Sequence, residues 1–275
     1  MINQVVEPSP RKTARVAGNM AHLSHKKERE MNSDRMTAAI VGVLFIVGTV
    51  AGILSVVFTG SILGDLDYLS KVAANENQII IGALLVLIMG FSLAMVPVII
   101  FPTLKKHNEI LALGYVVFRG ALEAVTYIAV ASSWLLLLSV SKEYVIAGTP
   151  NTPYFHTVGS VMQESADISA TITSIVFPLG AMMFYAVLYQ SKLIPRWLSV
   201  WGLIGVTLHL IAAGLAGMFA LTSSMSTIQD VFALPIFLQE MVMAVWLIVK
   251  GFNPVAIVSG SAKAYPTDVQ MNPSR

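Results

Sequence analysis

The stretch at residues 79–101, IIIGALLVLIMGFSLAMVPVIIF, decides the fold class of this chain. It runs for 23 residues without an Asp, Glu, Lys or Arg. Crossing the hydrocarbon core of a bilayer takes about 20 apolar residues in a helix that rises about 1.5 Å per residue. An isolated strand would leave its backbone groups unpaired in lipid. The stretch therefore predicts a transmembrane α-helix.

Five further segments have a similar length and apolar character, at residues 38–58, 111–138, 168–189, 197–221 and 231–249. The short alternating segments typical of a transmembrane β-barrel do not occur in the sequence. We therefore predict an all-α fold, a polytopic membrane bundle of six transmembrane helices. The segment 111–138 would reach about 40 Å if wholly helical, so we expect it to tilt or to project beyond the membrane core.

The composition indicates that lipid surrounds much of the chain. Hydrophobic residues make up 56% and charged residues 12%, whereas soluble proteins carry roughly 25% charged residues. The net charge of +2 does not indicate nucleic acid as a partner, because the basic residues lie beside the apolar segments, as membrane topology requires. The expected partner is the lipid bilayer. The absence of cysteine excludes disulfides, thiolate metal sites and cysteine nucleophiles.

The distribution of basic residues predicts the topology. With six spans both termini share one side of the membrane, and the basic residues near the spans on that side are Lys26, Lys27, Arg29, Arg35, Lys105, Lys106, Lys192, Arg196, Lys250 and Lys263. The opposite side has Lys71 and Lys142. Lys and Arg are enriched in cytoplasmic segments. We therefore expect a multi-pass protein of the cytoplasmic membrane with both termini in the cytoplasm.

Polar segments flank the predicted membrane domain at residues 37–252. We expect residues 1–36 to form a disordered cytoplasmic segment and residues 253–275 to form a mobile cytoplasmic tail. Met31 is followed by a second polar run and would make a natural start, so we hypothesise that the physiological chain begins there. The longest outer connection, residues 139–167, is expected to be an ordinary loop, with a short ordered cap as the alternative.

Ionisable residues inside the predicted spans are the first candidates for a functional site, because each costs about 2.5–3.5 kcal/mol to insert. Arg119 and Glu123 share a helix face at a spacing of four residues. Counting from the cytoplasmic ends places Arg119, Glu240, Glu123 and His209 in one layer, about 12–18 Å deep. The functional interpretation is a polar site for a proton, a cation or a polar solute. The structural one is a charge-paired clamp in which Arg119 bridges both acids, with His209 as a packing residue.

Two weaker signals accompany this layer. Pro97, Pro178 and Pro235 interrupt the second, fourth and sixth spans, where proline kinks a helix and exposes carbonyl groups. The fourth span begins with hydroxyl side chains between residues 169 and 174. They could line a polar vestibule, but we favour hydrogen bonds to their own helix.

Several stretches resemble an uncharacterised membrane family, the domain of unknown function 4386. They are Thr37-Ala38 running into GVLFI at 42–46, Phe118-Arg119 with Glu123, SKLIPRWLS at 191–199, and Leu234-Pro235 through Glu240 to WLIVKGF at 246–252. The resemblance covers roughly residues 35–253. It implies a six-helix membrane protein of prokaryotic type and no particular reaction.

Three classes of function therefore stay open. The favoured one is a non-catalytic membrane module that senses, anchors or regulates a partner protein. The second is a small transporter or channel that uses the layer of Arg119, Glu123 and Glu240. The third is an intramembrane enzyme, which is disfavoured because the sequence lacks metalloprotease, nucleophile-elbow, P-loop and dinucleotide-binding motifs. No cofactor or metal is expected, although Asp65 and Asp67 could hold a cation from an outer loop.

Overall fold

Eight helices are described in the computed structural model, which covers the backbone of residues 10–148, 152–219 and 226–264 and the side chains of residues 31–148, 152–219 and 231–260. The helices are α1 (Pro10–Leu63), α2 (Tyr68–Ala74), α3 (Glu76–Leu104), α4 (Glu109–Ala147), α5 (Thr152–Ser191), α6 (Arg196–Phe219), α7 (Ser226–Val249) and α8 (Pro254–Ala264). No strand occurs in this part of the chain. The prediction of an all-α fold is confirmed.

Six of these helices are long and apolar enough to cross a membrane: α1, α3, α4, α5, α6 and α7. Each packs against its neighbours in the order α1, α3, α4, α5, α6, α7, and α7 returns to α1. The spans therefore close into a ring. Large apolar side chains such as Phe45, Phe184 and Leu188 fill the inside of one half of this ring.

The start of the first span and the end of the last span lie at the same end of the bundle, which we call the terminal end. Arg35 at the start of the first span donates to the Val249 carbonyl at 3.0 Å, and the Asn253 N–H donates to the Leu193 carbonyl at 2.9 Å. Gly251 has a φ of +72°, a left-handed conformation that glycine adopts without steric cost and that ends α7. We call the opposite end of the bundle the far end. It carries α2, the last residues of α1 and α4, and the first residues of α5.

The far end differs from the expected long loop. Helix α4 continues to Ala147 and α5 begins at Thr152, so residues 139–147 and 152–167 are helical. At 39 residues α4 is about 58 Å long, which exceeds the roughly 30 Å hydrocarbon core. Its extension packs with α2 and α5 through Val140 and Tyr144, which lie against a cluster that includes Leu69 and Phe155. Burial of these side chains explains why polar segments that were expected to be a loop are helical.

The expected polar termini also differ from the structure. Residues 10–36 continue α1, because they are rich in strong helix formers and contain no proline after Pro10. Residues 254–264 form α8 rather than a mobile tail, and Phe252 and Ala256 bury their side chains against the bundle. Residues 1–9 and 265–275 lie outside the described part of the chain, as do Ala220 and Leu221 of the predicted fifth span.

Candidate functional site

The structure brings Arg119, Glu123 and Glu240 together inside the ring. The Arg119 Nη1 atom lies 3.3 Å from Glu123 Oε1, and Nη2 lies 3.2 Å from Glu240 Oε1. The side chains of Arg119 and Glu123 are 3% and 1% exposed, whereas that of Glu240 is 15% exposed. The guanidinium therefore bridges two acids from different spans, and one of the acids keeps contact with open space.

The helix around Arg119 is not a regular α-helix. Residues Val116–Leu122 form a π-helical turn, in which the Glu123 N–H bonds to the Phe118 carbonyl five residues earlier. Gly180 of α5 packs against this turn, and a Cβ at that position would lie 3.0 Å from both the Arg119 nitrogen and Phe118 Cβ. Close approach of α5 therefore accompanies the widened turn. Turns of this kind are frequent at functional sites.

Aromatic side chains that the sequence analysis missed surround the guanidinium. The Tyr127 hydroxyl donates to Glu123 Oε1 at 3.0 Å. The Phe177 ring lies 4.4 Å from the Arg119 guanidinium carbon, and the Phe45 ring lies 5.8 Å from it, both within cation–π range. Tyr127 follows Glu123 by four residues, so helical spacing could have indicated it. The position of Phe177 depends on how α5 packs, which spacing does not show.

His209 joins the same layer but does not bond to either acid. Its ring packs edge-on against Phe177 with the centroids 5.5 Å apart, and its buried Nδ1 atom has no hydrogen-bond partner among the described residues. A second π-helical turn, Leu210–Leu215, follows it directly. Glu123 Oε2 is likewise buried without a partner in the part of the chain that the structure describes. The site thus keeps two polar atoms available for further contacts.

A cavity of about 340 Å³ opens onto this cluster, and we call it the central cavity. Residues from all six spans line it, among them Arg119, Tyr127, His209 and Glu240. Most of its remaining wall is apolar, with Leu93, Phe177, Ile236 and Phe237 as the larger side chains. A second cavity of about 300 Å³ shares four lining residues with it and extends toward the far end.

Tight packing closes the central cavity toward the terminal end. There Tyr115 stacks on Phe184 with ring centroids 4.5 Å apart. Tyr185 is fully buried and its hydroxyl donates to Gln239 Oε1 at 2.6 Å. The charged cluster therefore lies between a packed half of the bundle and a half that contains open space.

The hydroxyl side chains of the fourth span bond to their own helix, as we favoured. Ser169, Thr171, Thr173 and Ser174 each donate to the carbonyl four residues earlier. Thr173 and Ser174 also line the central cavity. They contribute hydroxyl oxygens to its wall while satisfying their own hydrogen bonds.

Asp65 and Asp67, the remaining candidates for cation binding, both contact other side chains of the protein. Asp65 forms an ion pair with Lys71, which lowers the pKa of that carboxyl below its ordinary value. Asp67 accepts a hydrogen bond from Ser70 at 2.9 Å. No group of three or more His, Asp or Glu side chains is arranged to hold a metal ion within the described ranges.

Comparison with known proteins gives one match. The model of the family described as Domain of unknown function (DUF4386) matches residues 40–251, which include the three charged residues of the site. No curated protein and no solved structure matches the chain. With most of its length matched, the chain belongs to the family described as Domain of unknown function (DUF4386).

Proposed function

We propose that the protein binds a small cationic solute in the central cavity and moves it across the membrane. The observation that carries this proposal is the partial exposure of Glu240 to a cavity that all six spans line. A cluster that served helix packing alone would have no need of such a cavity. This departs from the sequence-based preference for a non-catalytic module.

The charge of the cluster supports a cation. Arg119 faces two carboxyl groups, so the site carries one excess negative charge when both acids are ionised. Buried charge is costly unless it is paired. A cationic solute or a proton at Glu240 would neutralise the excess, and Arg119 makes its hydrogen bond to the Oε1 atom of Glu240.

The walls of the cavity indicate the body of the solute. Phe177 and Phe237 present aromatic rings next to aliphatic side chains, and aromatic faces attract organic cations. A volume of about 340 Å³ lies at the small end of ligand pockets. A small amine or quaternary ammonium ion with an apolar group fits this chemistry.

Movement across the membrane is inferred from the shape of the bundle. The cavity is closed by packed side chains on one side of the charged layer and continues into a second cavity on the other. Two π-helical turns adjoin the layer, and Pro178 and Pro235 lie within the helices that line it. Transporters use such irregular helices around a site near the membrane centre.

The test is ligand binding followed by flux. Purified protein would be screened by thermal shift against methylammonium, tetramethylammonium and benzyltrimethylammonium, with benzyl alcohol as the neutral comparison. We expect a cation to stabilise the protein, and Glu240→Gln to weaken its binding about tenfold or more. Glu164→Gln is the matched control, because Glu164 is an exposed acid outside the cavity. The bound cation would then be tested for uptake into proteoliposomes.

A second candidate function is a non-catalytic module in which the cluster is a structural clamp. The double pairing of Arg119 at 3% exposure favours it. Binding without uptake in the assay above would support a sensing module instead of a transporter. If no cation binds, or if Glu240→Gln and Glu164→Gln behave alike, the binding proposal is wrong.

We also infer that the terminal end faces the cytoplasm, in the cytoplasmic membrane of a prokaryote. The support is the excess of Lys and Arg at that end. Because the chain has no cysteine, Lys71→Cys and Lys105→Cys can each be labelled in intact cells with a membrane-impermeant maleimide. We expect labelling of Lys71→Cys alone, and the reverse pattern would invert the topology.

A further inference from the structure

The terminal end of the bundle contains a larger cavity that is separate from the central one. This terminal cavity has a volume of about 490 Å³ and lies between the start of the first span, the turn after α3, and the linker from α7 to α8. Arg35, Lys106 and Lys250 bring one cation each from these three elements. Asp34 is the single acid among the lining residues that the structure describes. The described lining of the cavity therefore has an excess of positive charge.

A second basic cavity, the side cavity, adjoins it across the same linker. Its volume is about 440 Å³, and Lys192, Arg196 and Lys250 line it, with no acid among its described lining residues. Lys250 thus belongs to both cavities. Basic side chains from four separate parts of the chain therefore converge on this linker.

Two lysines of the terminal cavity have no acidic partner in the part of the chain whose side chains the structure describes. Lys106 and Lys250 form no ion pair with any described side chain. At the far end, by contrast, Lys71 pairs with Asp65 and Lys142 pairs with Glu76. Arg35 has a structural role, since its guanidinium donates to the Val249 and Lys250 carbonyls. Two lysines therefore remain to bind an anion from outside.

Apolar surface accompanies these charges. Phe252, Ile257 and Val258 line the terminal cavity. On α8, Val255 is 76% exposed and Val258 is 52% exposed. A helix at the end of a transmembrane bundle that exposes valines beside lysines is suited to the boundary between headgroups and acyl chains. A free inorganic anion would gain nothing from this surface, whereas a lipid would.

We propose that the terminal cavity binds the headgroup of an anionic phospholipid. Lys106 and Lys250 contact the phosphate, and an acyl chain lies along the exposed valines of α8. Basic pockets between transmembrane helices are suited to lipid phosphates. The same linker follows the last residue of α7, the span that carries Glu240. The bound lipid therefore stabilises the terminal end of α7. This inference does not depend on solute binding in the central cavity.

The test is lipid binding by the full-length protein in detergent, followed by native mass spectrometry and thermal unfolding. Phosphatidylglycerol, phosphatidylcholine and inorganic phosphate are the three probes. We expect phosphatidylglycerol to be retained and to raise Tm, with little effect of the other two. Each lysine near the membrane surface strengthens attraction to anionic lipid about fivefold, so K106Q/K250Q should weaken phosphatidylglycerol binding about 25-fold.

The matched control is K71Q/K142Q, which removes two lysines from the far end. It should leave the affinity for phosphatidylglycerol within about twofold of the unmodified protein, since those lysines are already paired with acids. Equal binding of phosphatidylglycerol and phosphatidylcholine would overturn the proposal. So would equal protection by inorganic phosphate, which would indicate a free-anion site, or an equal loss of affinity in the two double variants.

Discussion

Replacing Arg119 by Met should destabilise the bundle more than any other single change at the cluster. The variant keeps an unbranched apolar side chain beside Phe177 and removes both ion pairs. Glu123, at 1% exposure, would then retain the Tyr127 hydroxyl as its one hydrogen-bond donor. Removing one partner of a buried ion pair costs about 3–5 kcal/mol. We expect a loss of that size in the free energy of unfolding.

The partner variant Glu123→Gln should cost about 1 kcal/mol or less. The amide oxygen still accepts hydrogen bonds from Tyr127 and Arg119, and the remaining pair of Arg119 and Glu240 is neutral. The double variant combines Arg119→Met with Glu123→Gln. In it the buried charge at position 123 is gone, and Glu240 keeps its contact with the central cavity. The double variant should therefore be more stable than the sum of the two single losses predicts, by at least about 1 kcal/mol.

The assay is reversible unfolding in mixed micelles with increasing sodium dodecyl sulfate, followed by the fluorescence of the four tryptophans. A parallel cycle with Arg119→Met and Glu240→Gln measures the contact between α4 and α7. A loss below about 1 kcal/mol for Arg119→Met, together with strict additivity in both cycles, would refute the reasoning. Such a result would mean that water screens the three charges from one another.

Two packing predictions test the surroundings of the site by thermal unfolding. Gly180→Val should destabilise the protein by about 1–3 kcal/mol, because its side chain would collide with the π-helical turn of α4. The control Gly60→Ala should not, since a Cβ at that position has its nearest neighbour at 3.8 Å. Tyr185→Phe should cost about 1–3 kcal/mol by leaving the buried Gln239 oxygen without its donor, whereas Tyr154→Phe, at an exposed position, should cost nothing measurable. Equal effects of a variant and its control would contradict the corresponding contact.

The membrane fold could be predicted from the sequence because lipid limits spanning segments to long apolar helices. All six spans are confirmed, as is the family. The ends of the spans could not be predicted in the same way. Helix α4 continues nine residues past position 138, to Ala147, because its polar extension packs against α2 and α5, and hydropathy does not record such contacts.

The candidate site was partly accessible to sequence reasoning. Helical spacing placed Arg119 next to Glu123, and counting depth placed Glu240 in the same layer, where the structure also has it. Counting depth also placed His209 in this layer, and in the structure its ring packs against Phe177. The π-helical turns and the central cavity depend on how all six spans pack, which no local pattern encodes.

Access of water to the central cavity is the most direct test of the account. The chain has no native cysteine, so Ala233→Cys places a single thiol in the cavity wall and Leu234→Cys places one on the outer face of the same helix. Methanethiosulfonate reagents react with the thiolate, which forms in water and not in lipid. We predict that Ala233→Cys reacts, faster with the cationic trimethylammonium reagent than with the anionic sulfonate, and that Leu234→Cys does not react. If Ala233→Cys is as unreactive as Leu234→Cys with reagent on both sides of the membrane, the cavity is closed to solutes and the account is wrong.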